Sequence, residues 1–185
     1  MAKRWQKQTA KLNPNHNWQA KAGYQIFVAD RGAVRLNFPQ GWVVKPADDC
    51  IKFHDREPPD ETCGLAVSYL RLPSGVDWSQ LPLAELSRPA IAKDRRKLRN
   101  DGTIHRHPRT DVAIAWTEST FMDPKERRPA VAFLALVRGL NIQALLTFEV
   151  WAVDRERFFP VWEEVLHSVQ VGLLIKDPTV GEVFH

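Results

Sequence analysis

From Tyr24 onward the chain leaves a polar opening and begins to alternate. Ile26 and Val28 alternate with Phe27 and Ala29; after the turn Asp30-Arg31-Gly32, Val34, Leu36 and Phe38 alternate with Arg35 and Asn37. A period of two puts successive side chains on opposite faces of a strand, so the second run predicts a half-buried strand with one wet face. Phe38–Gly41 is expected to form a type I turn, with Pro39 second and Gly41 fourth, that hands the chain to a third strand near Trp42. That strand is interrupted at Pro46. Cys50, Ile51 and Phe53 then lead into the turn-rich residues 54–61, and Leu65–Leu72 returns as a strand ended by Pro73-Ser74-Gly75.

The period then lengthens. Residues 77–100 place Leu81, Ala84, Ile91 and Leu98 at mixed three-to-four spacing, which predicts helix, while Pro82 and Pro89 leave either two short helices or one kinked one. Three more strands are predicted. Val112, Ile114 and Trp116 alternate, Ala130–Val137 is apolar on both faces and so central, and Ala144–Trp151 pairs back across the turn at Arg138–Asn141. Phe158, Trp162, Val165, Leu166 and Val169 form a closing amphipathic helical stripe. The pattern predicts an α/β fold of the α/β/α sandwich type, a mostly antiparallel six- to seven-stranded sheet with helices on both faces, in the order β-β-β-α-β-β-β-α.

Composition narrows this to one globular domain, residues 23–185, behind an N-terminal arm of residues 1–22 with no apolar period: of 185 residues 44% are hydrophobic and 26% charged. The longest apolar stretch, Ala130–Val137, falls far short of the roughly 20 residues of a membrane span. The N-terminus shows no apolar export core, so a cytoplasmic address is expected. The net charge of +4 conceals a bipolar chain: residues 1–29 carry +5, residues 88–109 carry +6, and the remainder −7. A basic pI is therefore not by itself a nucleic-acid signal.

These charges supply the binding candidates. Arg88, Lys93, Arg95, Arg96, Lys97 and Arg99 form a basic patch near a helix C-terminus, where cations either complement the macrodipole or meet an acidic partner, nucleic acid or anionic lipid. In the arm, Arg4, Trp5, Lys7 and Trp18 interleave charge with aromatics, and either clamp a partner, insert at a membrane surface or cover an apolar patch of the domain itself. The acidic residues 48–61 read as a solvated tip, and the opposed charges also favour head-to-tail self-association.

His105 and His107 would share one face of a strand, but a zinc site needs a third or fourth ligand, with His54, Asp55 or Cys50 the candidates. Cys50 and Cys63 flank the proline-rich turn, as cross-strand neighbours would, and are expected to be reduced thiols. No phosphate loop, dinucleotide fingerprint, nucleophile elbow or HExxH helix is present, so no catalytic residue and no cofactor is assigned.

The strand ending in LNFPQGW and the close LLTFEVW…FFPVWEEVLHSVQV, together with the element order, resemble the PsbP-like superfamily over roughly residues 24–171. Its fold is shared by PsbP, the envelope protein DcrB, a Ran-binding import factor and the Eag-type chaperones of type VI secretion effectors. The resemblance implies a non-enzymatic partner-binding role and carries over no site residue. The expected function is a protein-binding module such as a cytoplasmic chaperone, adaptor or assembly factor. Nucleic-acid or anionic-surface binding through residues 1–21 and 88–109 is the alternative, and a metal-dependent protein using His105 and His107 a second.

Overall fold

A computed structural model describes residues 6–92, 99, 102–181, 183 and 184. Five strands precede the first helix: β1 (Tyr24–Ala29), β2 (Val34–Pro39), β3 (Val43–Pro46), β4 (Ile51–His54) and β5 (Cys63–Arg71). After α1 (Leu83–Ala92) come β6 (His105–Arg106), β7 (Ala113–Met122), β8 (Pro129–Gly139) and β9 (Ile142–Trp151), then α2 (Arg155–Ser168) and the short strands β10 (Gln170–Val171), β11 (Leu174–Ile175) and β12 (Val183–Phe184). The order is thus longer than the eight elements expected. The extra strands come from splitting the chain around Pro46, from β6 and from the tail.

The main sheet is seven-stranded and antiparallel, in the order β3-β4-β5-β9-β8-β7-β6. β1 and β2 join β10 in a separate three-stranded sheet, which the local alternation had no means of revealing. That small sheet and α2 together close one face of the main sheet. Val34, Leu36 and Phe38 of β2 meet Ile51, Phe53, Leu65 and Val67, and Phe53 receives the edges of Phe27 at 4.9 Å and Phe38 at 5.0 Å. From α2, Trp162 stacks on Phe133 and on Phe148, with centroids 5.6 and 5.9 Å away. This closed face holds the core.

The corner after β2 differs by one residue from the expected turn. β2 runs through Pro39, Trp42 N–H donates to the Pro39 carbonyl, and Gly41 is third with φ of +83°. A positive φ at the third position is the type II arrangement, which glycine favours. Trp42 then turns inward, stacked 6.4 Å from Phe148.

β2 is also not wet on either face. Arg35 and Asn37 are 6% and 3% exposed, because the N-terminal segment, the end of α2 and β10 cover them. Residues 13–18 lie along the tail: Asn13 and Asn17 N–H donate to the Thr179 and Val180 carbonyls, and Trp18 is buried.

The opposite face of the main sheet is covered only in part. α1 packs Leu83 and Leu86 over Ala115, Leu134, Leu136 and Leu145 near one end. Before it, residues 78–80 form a single 3₁₀ turn; Pro89 lies inside α1, where its ring withholds the N–H that would reach back to Glu85. Among the described residues, the rest of this face is a cleft.

Candidate functional site

The cleft has a volume of about 440 Å³. Strand register explains its depth. On β5, β9 and β8 the positions facing it include Gly64, paired with Glu149, Ala66, paired with Thr147, and Ala130, paired with Trp151. Gly64 and Ala66 of β5 and Ala130 of β8 leave space that larger side chains would fill. Trp151 and Phe121 wall one end; Lys52, His54 and Glu61 wall the other.

The turn after β4 builds that second wall. Asp55 accepts hydrogen bonds from Thr62 N–H at 2.8 Å, from the Thr62 hydroxyl at 2.6 Å and from Cys63 N–H at 3.1 Å. Burial alone would raise the Asp55 pKa, but these donors outweigh it and hold the carboxyl below its ordinary value. Asp55 is therefore part of the frame of the turn and not of a solvated tip. With the turn closed, Glu61 comes back beside His54, its Oε1 3.8 Å from Nδ1.

Two buried polar atoms in this wall have no hydrogen-bond partner among the described residues: His54 Nδ1 and Glu61 Oε2. Burial lowers the His54 pKa, opposed by Glu61 and reinforced by Lys52 and Lys45, so the ring stays neutral and at least one nitrogen must be an acceptor. Gly64 stands directly across the strand pair from His54. A Cβ there would sit 3.6 Å from Nδ1, at ordinary contact distance.

The residues singled out from sequence fall elsewhere. Arg88 and Arg99 are exposed, and Arg99 forms a bridge with Thr120 of β7; Lys93, Arg95, Arg96 and Lys97 lie outside the described residues. Lys7 of the arm is exposed and Trp18 is packed into the domain under Arg35, while Arg4 and Trp5 lie outside the described residues.

His105 stacks on Trp116 at 4.2 Å, on the α2 side of the sheet. His107 faces the same side, where burial first, then Arg109 and His167, lower its pKa against the pull of Glu163. His54, a suggested further ligand, is on β4, five strands from β6 and on the opposite face, about 24 Å away at 4.8 Å per strand. Among the described residues no three His, Cys, Asp or Glu side chains gather as a metal would require.

Cys50 and Cys63 are not cross-strand neighbours. The β4–β5 register pairs Ile51 with Val67 and His54 with Gly64, so the two cysteines lie at opposite ends of the hairpin, both free. Sequence reasoning passed over the pairing of His54 with Glu61. Its only signal was the turn-forming REPPDE between them, which says that the chain reverses but not which side chains then face inward.

Comparison with known proteins places this geometry. The sequence profile of the family described as Alr1449 matches residues 25–175. The uncharacterized protein alr1449 of Nostoc sp. (strain PCC 7120 / SAG 25.82 / UTEX 2576) is 42% identical over 181 residues, 97% of this chain and 94% of that protein. Among solved structures, the cyanobacterial PsbP (CyanoP) of Synechocystis sp. PCC 6803 superposes with a TM-score of 0.62 at 11% identity, covering 83% of this chain and 95% of its own. The Ran-binding protein Mog1p of Saccharomyces cerevisiae superposes with a TM-score of 0.50 at 11% identity, covering 80% and 95%.

Proposed function

The chain belongs to the Alr1449 family and has a PsbP-like fold, and from that premise we propose that it is a non-catalytic protein-binding module, a chaperone, adaptor or assembly factor of the cytoplasm. The partner sits in the open cleft of the seven-stranded sheet. The observation that carries this reading is the unequal covering of the two faces. One is sealed by α2 and a second sheet, whereas α1 leaves the other with small residues beneath a 440 Å³ space. A concave site with an apolar floor and a few convergent polar groups is the form binding sites take. The fold of a Ran-binding protein lends the same direction.

The chemistry of the cleft argues against a nucleophile. Burial pushes the Cys63 thiol up, away from the thiolate a cysteine enzyme needs. His54, the imidazole in the cleft lining, makes no hydrogen bond through Nδ1 among the described residues. Nucleophilic catalysis requires the two to be joined.

The test is affinity capture with the full chain and two variants. Ala66→Phe fills the floor of the cleft; Arg95, Arg96 and Lys97 changed together to Gln neutralise the basic run. The cleft reading expects proteins held by the unmodified chain to be lost with Ala66→Phe and kept by the triple variant. Equal capture by all three overturns it. Loss in the triple variant alone, with retention falling steeply as salt rises, supports nucleic-acid or anionic-surface binding instead.

A further inference from the structure

Apart from the cleft, we propose a second protein-binding surface: the free edge of β1, which takes an extended, uncharged segment of a partner chain as an added strand. The main-chain groups at this edge are the first argument. β1 ends the three-stranded sheet. In an antiparallel pair, residues alternate between exchanging hydrogen bonds across the pair and turning their N–H and C=O away from it. Asn37 N–H donates to the Ser168 hydroxyl at 2.9 Å, away from β1, so Asn37 and Ile26 opposite it are a pair of the second kind. Val28, two residues on, repeats the arrangement.

Among the described residues, nothing meets the outward N–H and C=O of Ile26 or of Val28. Tyr24, by contrast, donates its N–H to the Lys21 carbonyl and accepts from Gln40 Nε2. Two donors and two acceptors remain, alternating along the edge, with the two residues about 6.8 Å apart. That arrangement matches the main chain of another extended segment and is the basis of strand addition.

The second argument is that this edge lacks the protection the others carry. β3, at one edge of the main sheet, holds Lys45 and Pro46, while β6 and β10 are two residues long. β1 runs for six residues, Tyr-Gln-Ile-Phe-Val-Ala, without charge, proline or glycine, and its six successive pairs with β2 leave no bulge. Charges, prolines, bulges and shortness are the devices that keep an edge from pairing. Their absence marks β1 as an edge that pairs.

The third argument selects the occupant. β2 borders α2 through Asn37 and Glu164, so the free side of β1 points away from α2. Phe27 rests its edge on Phe53 of β4, and β3 lies beyond β4 in the main sheet. A strand added about 4.8 Å outside β1 therefore lies over β3. There its inward side chains cover Phe27 and Val44, both partly buried at the rim of the core, and its outward ones adjoin Ile26 and Val28. Both faces suit β-branched or aromatic side chains and neither suits a charge. A second copy of the chain fits poorly, since it brings its own main sheet to the place of β3. One strand pair also buries far less than the roughly 1,200 Å² of a stable dimer.

The probe is the blocked peptide Thr-Val-Thr-Val-Thr, added to the full chain, with amide hydrogen exchange at Ile26 and Val28 read by NMR. Exchange at both is expected to slow saturably, with a dissociation constant near or below about 1 mM. The same peptide methylated on its valine nitrogens keeps the side chains, loses main-chain donors and should leave both amides unchanged. Val28→Pro removes one outward N–H at an edge where proline is tolerated, and should weaken the peptide about ten-fold, the scale of one main-chain hydrogen bond. An unchanged urea midpoint shows that this variant is folded; a lowered one leaves the decision to the methylated peptide, which alters nothing in the protein.

No slowing by about ten times the expected constant, or equal slowing by both peptides, overturns the proposal. Slowing that grows with protein concentration, without any peptide, means that a second copy takes the edge and rejects the partner segment. Ala66→Phe, on the opposite face of the main sheet, should leave peptide binding unchanged, so this surface and the cleft stand or fall separately. Peptide binding lost with Ala66→Phe puts the peptide in the cleft and rejects the edge.

Discussion

Arg35 of β2 lies over the indole of Trp18, its guanidinium carbon 5.2 Å from the ring centroid. The other face of that relationship is Gly181, whose missing side chain is required: a Cβ there would stand 2.7 Å from the ring. One aromatic thus seals a buried cation and ties residues 13–18 to the tail.

Trp18→Ala should cost about 3 kcal/mol, within the range for removing a buried tryptophan, since it also returns Arg35 to a half-open site. Trp18→Phe should recover most of this. Urea denaturation decides the matter, and an unchanged midpoint for Trp18→Ala would contradict the packing described.

Gly41→Val isolates a backbone effect. Nothing lies within 4 Å of a Cβ at Gly41, so the substitution meets no neighbour and is opposed only by φ of +83°. A loss of about 1–2 kcal/mol is expected, with Gly41→Asn losing less. Equal melting temperatures for Gly41→Val and the unmodified chain would reject the turn.

The two histidines whose pKa values are lowered, His54 and His107, make stability depend on pH with a definite sign. Both bind protons less readily folded than unfolded. Their contribution is therefore fully present above the unfolded value of about 6.5 and is lost as pH falls through the lower folded values. The urea midpoint should drop between about pH 7.5 and pH 5.5, and replacing both by Gln should flatten that slope. A midpoint that rises on acidification in this window reverses the sign and rejects the assignment.

Thiol chemistry offers a check on the hairpin. Cys63 is buried and protonated, whereas Cys50 is partly exposed, its pKa raised first by burial and then by Asp49. A thiol reagent at about pH 8 should label Cys50 slowly and Cys63 only after unfolding, with two thiols found under denaturing, non-reducing conditions. Finding none would mean that the cysteines are bridged, against the register.

How much of this was legible beforehand differs by scale. The alternation of Val34, Leu36 and Phe38 correctly marks a strand, because period is a local property that each residue carries with it. It cannot say that β2 belongs to a second sheet laid over the first, nor that Arg35 and Asn37 are covered, because their cover comes from Trp18 and α2, far away in the chain. Ala130–Val137 revealed its central place since both of its faces are apolar. The cleft left almost no trace. It is made of side chains that are small or missing at Gly64, Ala66 and Ala130, and space in a folded protein is a property of several strands at once. The acidic residues 48–61 misled for a related reason: composition gives their number, while hydrogen bonds to Thr62 and Cys63 decide that Asp55 is structural.

The aromatic packing on the closed face has an optical consequence. Trp116 lies 6.2 Å from Trp162, which stacks on Phe148, and Phe148 carries Trp42 on a stack of its own. Excitation reaching any of these three indoles is readily passed among them. Their emission therefore reports the sealed half of the molecule as one body and fades in a single step when that half melts. Trp151, at the wall of the cleft, is the indole whose colour would follow the arrival of a partner.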